Sequence, residues 1–291
     1  MGRIGIFVNR QTLSNALQLS SVIRFRDVAE SMGHSIEFIF PIDIKKIPKL
    51  DALFIRARTD PMNTSYAAAV MADLHGIPVI DDPWSIQVCS DKVNMYSHLM
   101  KAGITIPKTR FLCKKDITEK AIEDLFQEMG NPLVLKEPST SFSIRVEKVE
   151  DIPTFMRIAK RFIKLSDWIV VESFVESTFD WRIGVLDGRP LYACKYIIPT
   201  ETFKIQASVD GQLVYCTVES IPKDKVPPNV MRTGLDAANA IGQGLYGVDL
   251  KEAGDDIFVI EVNDNPSLEG GEDDHYPDVY ERIVGHLLKE G

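Results

Sequence analysis

The chain has 291 residues, 45% of them hydrophobic and 26% charged, and a net charge of −9. That length and balance describe a globular protein of two or three lobes, and the acidic excess argues against nucleic acid, whose phosphates demand a basic face. No apolar run reaches the roughly 18 residues that cross a bilayer. Met1–Val8 has no signal-peptide pattern, and the four cysteines (Cys89, Cys113, Cys194, Cys216) form no Cys-x-x-Cys pair. The expectation is therefore a cytoplasmic protein with reduced thiols and neither a membrane nor a nucleic-acid partner.

Residues 4–8 (Ile-Gly-Ile-Phe-Val) read as a buried strand, and Leu13, Leu17, Val22, Phe25, Val28 and Ala29 recur at helical spacing up to Gly33. Strands follow at 35–40 and 51–57, a helix at 64–75, and a short strand at 77–80. This alternation predicts a mostly parallel sheet covered by helices, an α/β lobe over residues 1–85. A long helix is expected at 85–102. Strands at 108–113, 133–136, 144–149 and 168–172, with helices at 118–129 and 152–165, then give an α+β lobe over 86–175. Beyond it the pattern turns to hairpins, with Asp187-Gly188 and Asp210-Gly211 at the turns. A helix at 230–243, two acid-bearing strands and a helix at 277–289 complete a third lobe over 176–291.

The strongest chemical signal is Ile257-Phe-Val-Ile-Glu261-Val-Asn263. Alternation along a strand puts Glu261 and Asn263 on one face and turns Ile260 and Val262 to the core. Two oxygen donors on a rigid strand, with Asp249 of Tyr246-Gly-Val-Asp-Leu250 as a third, suit a hard cation such as Mg2+, which is seldom caged by protein alone and usually bridges phosphates. Lys136 ends the apolar run Pro132-Leu-Val-Leu-Lys and precedes the hydroxyl-rich Ser139-Thr-Ser141-Phe-Ser143, an arrangement suited to polyphosphate. Lys92, taken alone, reads as a surface lysine. The strand end Trp168-Ile-Val-Val-Glu172-Ser173-Phe174-Val175 offers backbone donors and acceptors to a purine edge. Asp180 and Arg182 share a strand face: one could hold ribose hydroxyls and the other an anion, or the two belong to cross-strand ion pairs. Lys195 projects from an apolar strand and could meet phosphate. Arg56 and Arg58, at the end of a first-lobe strand, could clamp a substrate carboxylate or be surface residues.

In this order along the whole chain, the motifs resemble those of the ATP-grasp superfamily, and within it the RimK-like carboxylate–amine ligases. The resemblance is strongest over 81–109, 133–146, 169–185 and 246–271, and Glu261-Val-Asn-Asp-Asn-Pro266 is its most specific part. It implies an ATP-grasp fold of mixed α/β and α+β class behind an N-terminal α/β (pre-ATP-grasp) lobe. It implies ATP as cosubstrate with one or two Mg2+ ions, or Mn2+ in their place. Lys92, Lys136 and the loop around Ser141 would contact phosphate, Glu172, Ser173, Phe174 and Val175 would form the adenine hinge, and Asp180 would bind ribose. Arg182 and Lys195 would be the catalytic residues at the transferred phosphoryl group, and Asp249, Glu261 and Asn263 the metal ligands. The implied reaction joins a small-molecule carboxylate to an amine (an amino acid or peptide) through an acyl phosphate, releasing ADP and phosphate; a homo-oligomer would be in keeping. A metabolite kinase or a non-catalytic ATP-binding protein are the competing readings. The phosphate loop lacks the glycines usual in the superfamily. Residues 198–218 lack the Arg/Asn/Gly-rich pattern of the ribosomal-protein ligases, so their acceptor does not carry over.

Overall fold

The structure, a computed structural model, describes residues 1–140, 143–200, 202–209 and 212–289. Its first sheet is parallel, in the order β2 (Ser35–Ile39), β1 (Arg3–Phe7), β3 (Ala52–Ile55), β4 (Val79–Ile80). The helical spacing expected over 13–32 resolves into α1 (Arg10–Ser14) and α2 (Ala16–Ser31), because the side chain of Asn15 accepts hydrogen bonds from the N–H groups of Leu17 and Gln18 and restarts the helix. Ile4 and Ile6 meet Val22, Phe25 and Ala29 of α2 on one face. On the other, Phe7 and Leu53 meet Ala68, Ala69 and Ala72 of α3 (Thr64–Leu74).

The long helix expected over 85–102 is two helices, α4 (Pro83–Cys89) and α5 (Lys92–Lys101). Asp91 makes the break: its side chain caps the second helix by accepting from the Asn94 N–H, which puts Lys92 in the first turn. The second sheet is antiparallel, in the order β5 (Thr109–Leu112), β8 (Ile169–Ser173), β6 (Leu133–Lys136), β7 (Val146–Val149). One of its faces, with Leu133, Leu135, Ile169 and Val171, is covered by α6 (Glu119–Met129) and α7 (Ile152–Phe162). The other carries Val134, Lys136 and Glu172 toward a cleft.

The third sheet is antiparallel, in the order β13 (Thr217–Ser220), β10 (Arg189–Ile197), β9 (Phe179–Leu186), β14 (Leu245–Ala253), β15 (Asp256–Asn263). A separate ribbon pairs β11 (Gln206–Val209) with β12 (Gln212–Tyr215). The hairpin expected there over 203–218 is thus shorter, and its far end leaves to join β10 as β13. Trp181, Ile183, Val185, Val248, Leu250, Val259 and Val262 pack beneath α8 (Pro228–Ile241) together with Val88, Met95 and Leu99 of α4 and α5. The connecting helices therefore bury their apolar faces on the third sheet, although in sequence they lead into the second. Similarly α9 (Val279–Leu288) returns to pack on α2 and β3 of the first lobe.

Two glycines record how tightly the third sheet is filled. A Cβ on Gly184 would lie 2.2 Å from the buried ring of Tyr192, its neighbour on β10, whose hydroxyl is fixed on the Ser267 carbonyl. A Cβ on Gly247 would lie 2.9 Å from Nη1 of Arg182. Gly184→Ala is expected to destabilise the chain by about 1–3 kcal/mol through overpacking. Chemical denaturation would show this as a lower midpoint, and an unchanged midpoint would mean that Tyr192 can move aside.

Candidate active site

A cleft opens between the second and third sheets, lined by residues of both. Its floor comes from cross-strand register. Asp249 on β14 lies opposite both Arg182 on β9 and Glu261 on β15, which sets the three side chains in a row across neighbouring strands. Arg182 grips Asp249 with two bonds, Nε to Oδ1 at 2.6 Å and Nη2 to Oδ2 at 2.9 Å. Asn263 donates to Oδ2 of Asp249 at 3.1 Å and to the Gly247 carbonyl at 3.2 Å. Burial disfavours the Arg182 charge, yet Asp249 beside it more than compensates and holds the guanidinium well above its ordinary pKa. Burial likewise pushes the Asp249 carboxyl up, against the pull of Arg182.

The alternation expected for β15 is broken. The register slips between Asp249 and Leu250, so that Asp249 pairs with Glu261 and Leu250 with Val259, leaving Ile260 as the extra residue of a bulge. Val259 and Val262 go to the core, whereas Ile260 lines the cleft beside Glu261. The expectation that Ile260 points to the core is thereby corrected. Glu261 keeps 29% of its side chain exposed and has Lys92 Nζ at 3.4 Å.

Above the floor, Lys92 also donates to the Thr140 carbonyl. Lys136 pairs with Oε2 of Glu172 at 2.8 Å and donates to the Tyr96 hydroxyl at 3.0 Å, and that hydroxyl donates to the Ile260 carbonyl at 2.5 Å. Oε1 of Glu172 is buried with no partner among the described residues. The Ser173 N–H donates to the Lys108 carbonyl, the Lys108 N–H donates to the Ser173 hydroxyl, and the Phe174 N–H donates to the Pro132 carbonyl. Phe174 and Phe203 meet edge to face at the cleft, with Val175 beside them in its lining. Asp180 accepts from Lys251 Nζ at 2.5 Å, and both are buried. Of the alternatives left open for Asp180 and Arg182, each residue is ion-paired, but to β14 and not to the other.

Lys195 is not brought to this cleft. It lies opposite Trp181, and its ammonium sits 4.1 Å from the ring centre of Phe179 and 4.5 Å from that of Trp181, on the face turned away from Arg182. The residue opposite Arg182 is Cys194. A one-residue step in a strand decides the face, so the catalytic role expected for Lys195 is withdrawn. Ser141 lies outside the described residues. Arg56 does not clamp an open position: Nη1 donates to Oδ1 of Asn265 at 2.6 Å and to the Pro266 carbonyl at 3.1 Å, and Nη2 to Glu269 at 3.2 Å. Arg58 is exposed.

Sequence reasoning missed Tyr96, Lys251 and Lys204, the last of which lines the cleft beside Phe203. Lys251 carried a usable signal, since it stands two residues after Asp249 on one strand; Tyr96 lies on a helix whose contact with β15 is tertiary. It also missed Asp81, which follows β4, and Asp264, which follows β15, both buried. Both oxygens of Asp81 and Oδ2 of Asp264 have no partner among the described residues. Burial pushes the Asp81 carboxyl well above its ordinary pKa and that of Asp264 up to about 7.

A sequence profile of the RimK-like ATP-grasp domain matches residues 89–287. The chain belongs to the RimK-like ATP-grasp family. A relative from a Marinomonas species, described as a probable alpha-L-glutamate ligase, is 27% identical over 95% of this chain and 94% of its own length. The ATP complex of a D-alanine–D-alanine ligase from Bacillus anthracis has the same fold, with a TM-score of 0.73 at 19% identity over 100% of this chain and 98% of that one. A RimK-domain ATP-grasp protein from Sphaerobacter thermophilus superposes with a TM-score of 0.67 at 18% identity over 99% and 98%. The mixed α/β architecture expected from sequence is thus the ATP-grasp fold.

Within this RimK-like cleft, Lys136 is the only ionic partner of the buried Glu172 among the described residues. Lys136→Ala should therefore cost about 3–5 kcal/mol of stability by leaving a buried charge unpaired. Adding Glu172→Gln should recover most of that loss. Unfolding curves of the two variants check this; equal stability of the single variant and the parent would place Glu172 in reach of water.

Proposed function

We propose that this RimK-like chain is an ATP-dependent carboxylate–amine ligase whose cleft takes Mg–ATP between the second and third sheets. The observation that carries the reading is the row Arg182–Asp249–Glu261, flanked by Asn263 and faced by Lys92 and Lys136. It gathers hard oxygen donors and phosphate-type cations along one cleft. The donor set fits a hard divalent ion: Glu261 is partly exposed, and Asn263 spends its amide N–H on Asp249 and Gly247, leaving its oxygen for a ligand. When bound, Mg2+ (one or two ions, or Mn2+) supplies positive charge at the phosphates.

In this reading Lys92 and Lys136 hold phosphate oxygens, and the free Oε1 of Glu172 accepts from a purine amino group. Phe174, Val175 and Ile260 wall the ring, and Asp180 takes a ribose hydroxyl. The substrate carboxylate attacks the γ-phosphorus and ADP leaves, giving an acyl phosphate. The amine then attacks the acyl carbon, phosphate leaves, and the nitrogen sheds its proton. Arg182, locked on Asp249, presents its remaining donor edge to the oxygens that gain charge, so its contribution is electrostatic and preorganised. In this reading the lobes divide near 85 and 175, and the cleft lies between the second and third.

The relatives' description makes an α-amino acid, glutamate foremost, the first carboxylate or amine to try, with a peptide as the alternative partner. No helix among the described residues is long and apolar enough to cross a membrane, and all four cysteines are unpaired, which suits the reducing cytoplasm.

Hydroxylamine intercepts acyl phosphates. With Mg2+, ATP, hydroxylamine and a panel of amino acids and small carboxylates, the expected result is a hydroxamate from one acid together with ADP. ADP without any hydroxamate across the panel would favour phosphorylation of an alcohol instead. Glu261→Ala should retain the parent melting temperature while losing turnover by about a hundredfold or more; full activity in that variant would remove Glu261 from the metal set.

A further inference from the structure

Lysine is almost never buried unless paired, and Lys251 is 9% exposed on the cleft face of β14. Its Nζ makes one hydrogen bond among the described residues, to Oδ1 of Asp180 at 2.5 Å. The contact of the Asp180 carboxylate among them is made at Oδ1 and not at Oδ2, and Asp180 lines the cleft with Lys251, Val134 and Ile260. One oxygen of the carboxylate is thus anchored and the other is unclaimed.

A buried ion pair is weak grounds for stability, because well-packed apolar side chains of similar volume usually do as well or better. The surroundings here, Val134, Ile260 and the Phe174–Phe203 wall, would admit such a replacement. What the pair does supply is orientation. A carboxylate held by a cation through one oxygen has its plane fixed and remains a charged acceptor at the other, and charge-assisted hydrogen bonds are the strong ones.

We propose that Lys251 is a positioning residue for the sugar of the nucleotide: it holds Oδ1 of Asp180 so that Oδ2 faces the ribose hydroxyls, and the pair makes the chain selective for ribonucleotides. The inference rests on the assignment of Asp180 to the ribose. It identifies a residue that does not itself touch the ligand, and a property, discrimination by sugar, that phosphate and metal contacts do not provide.

The test is calorimetric titration of the full chain with Mg2+ and either ATP or dideoxy-ATP, which lacks both ribose hydroxyls. The parent should bind ATP at least about tenfold more tightly, the worth of one such hydrogen bond, and Lys251→Met should bring the two affinities to within about twofold. Lys251→Arg should keep the preference. If Lys251→Met weakens both nucleotides equally and keeps their ratio, Lys251 is merely structural and the inference fails. Asp180→Ala, which removes both acceptor oxygens, separates the two layers. If it retains the preference, Asp180 does not read the sugar and both assignments fall. If it loses the preference while Lys251→Met keeps it, Asp180 stands and Lys251 alone is wrong. Should Lys251→Met not fold, Lys251→Gln takes its place, with a clear fall in the ratio supporting the inference and an unchanged ratio overturning it.

Discussion

Two N–H···O contacts between Arg182 and Asp249, at 2.6 and 2.9 Å and shut away from solvent, govern how the third sheet is built. Taking both charges out of water is costly, and their attraction repays it only in good geometry with the remaining donors and acceptors engaged. The surroundings answer that demand. Gly247 is bare, since a Cβ there would crowd the guanidinium, and Asn263 caps the far oxygen of Asp249. The bulge falls immediately after Asp249, so Glu261 stays in line with the pair while the core side chains of β15 still reach α8.

Strand β15 is fastened within its length and just past its C-terminal end by residues distant in sequence. Tyr96, from α5, bridges Lys136 of the second sheet and the Ile260 carbonyl. Arg56, at the end of β3, holds Asn265 and the Pro266 carbonyl just beyond the strand, and Asn265 donates in return to the Ala57 carbonyl. An arginine that sequence position offers to a substrate is in fact spent on joining the first lobe to the loop that follows Asn263. The orientation of that loop is thereby set by the first lobe. A change in the packing of β3 should be felt at the proposed metal-binding strand through this contact.

How much of this could be read beforehand depended on the range of the interaction concerned. Parallel and antiparallel sheets, the hairpin at Asp187-Gly188 and the shared face of Glu261 and Asn263 follow from local periodicity and turn chemistry, which the sequence states directly. The break at Asp91 was legible in principle, because a capping aspartate ahead of a helical run is a local signal, but an unbroken helical pattern obscured it. Ile260 and Lys195 were misplaced for one reason: strict alternation fixes a side chain's face only relative to a register, and register depends on the partner strand. A bulge on β15 moved Ile260 into the cleft, and the pairing of β10 with β9 set Lys195 over Trp181. Partners were the least legible. Nothing local says that Lys136 meets Glu172 and Tyr96, or that Asp180 and Arg182, two residues apart, each pair with β14.

That last feature bears on how the cleft can bind a polyanion at all. Lys92, Lys136, Arg182 and Lys251 each face an acid of the protein: Glu261, Glu172, Asp249 and Asp180. Without those acids the cations would repel one another and swing toward water. With them, Lys92, Lys136 and Arg182 are held near the place where a phosphate would meet them, and Lys251 holds Asp180 where a hydroxyl would meet the acid, so little reorganisation remains when ligand arrives. The arrangement also has a cost, because an incoming phosphate must compete with an internal carboxylate for the same ammonium. A divalent cation resolves that competition: by taking Glu261, the most exposed of the four acids, it would release Lys92 to the nucleotide. Mg2+ and ATP should then favour each other's binding through Glu261 and Lys92, whereas the deeper Arg182–Asp249 pair stays closed and serves as the fixed reference against which both are placed.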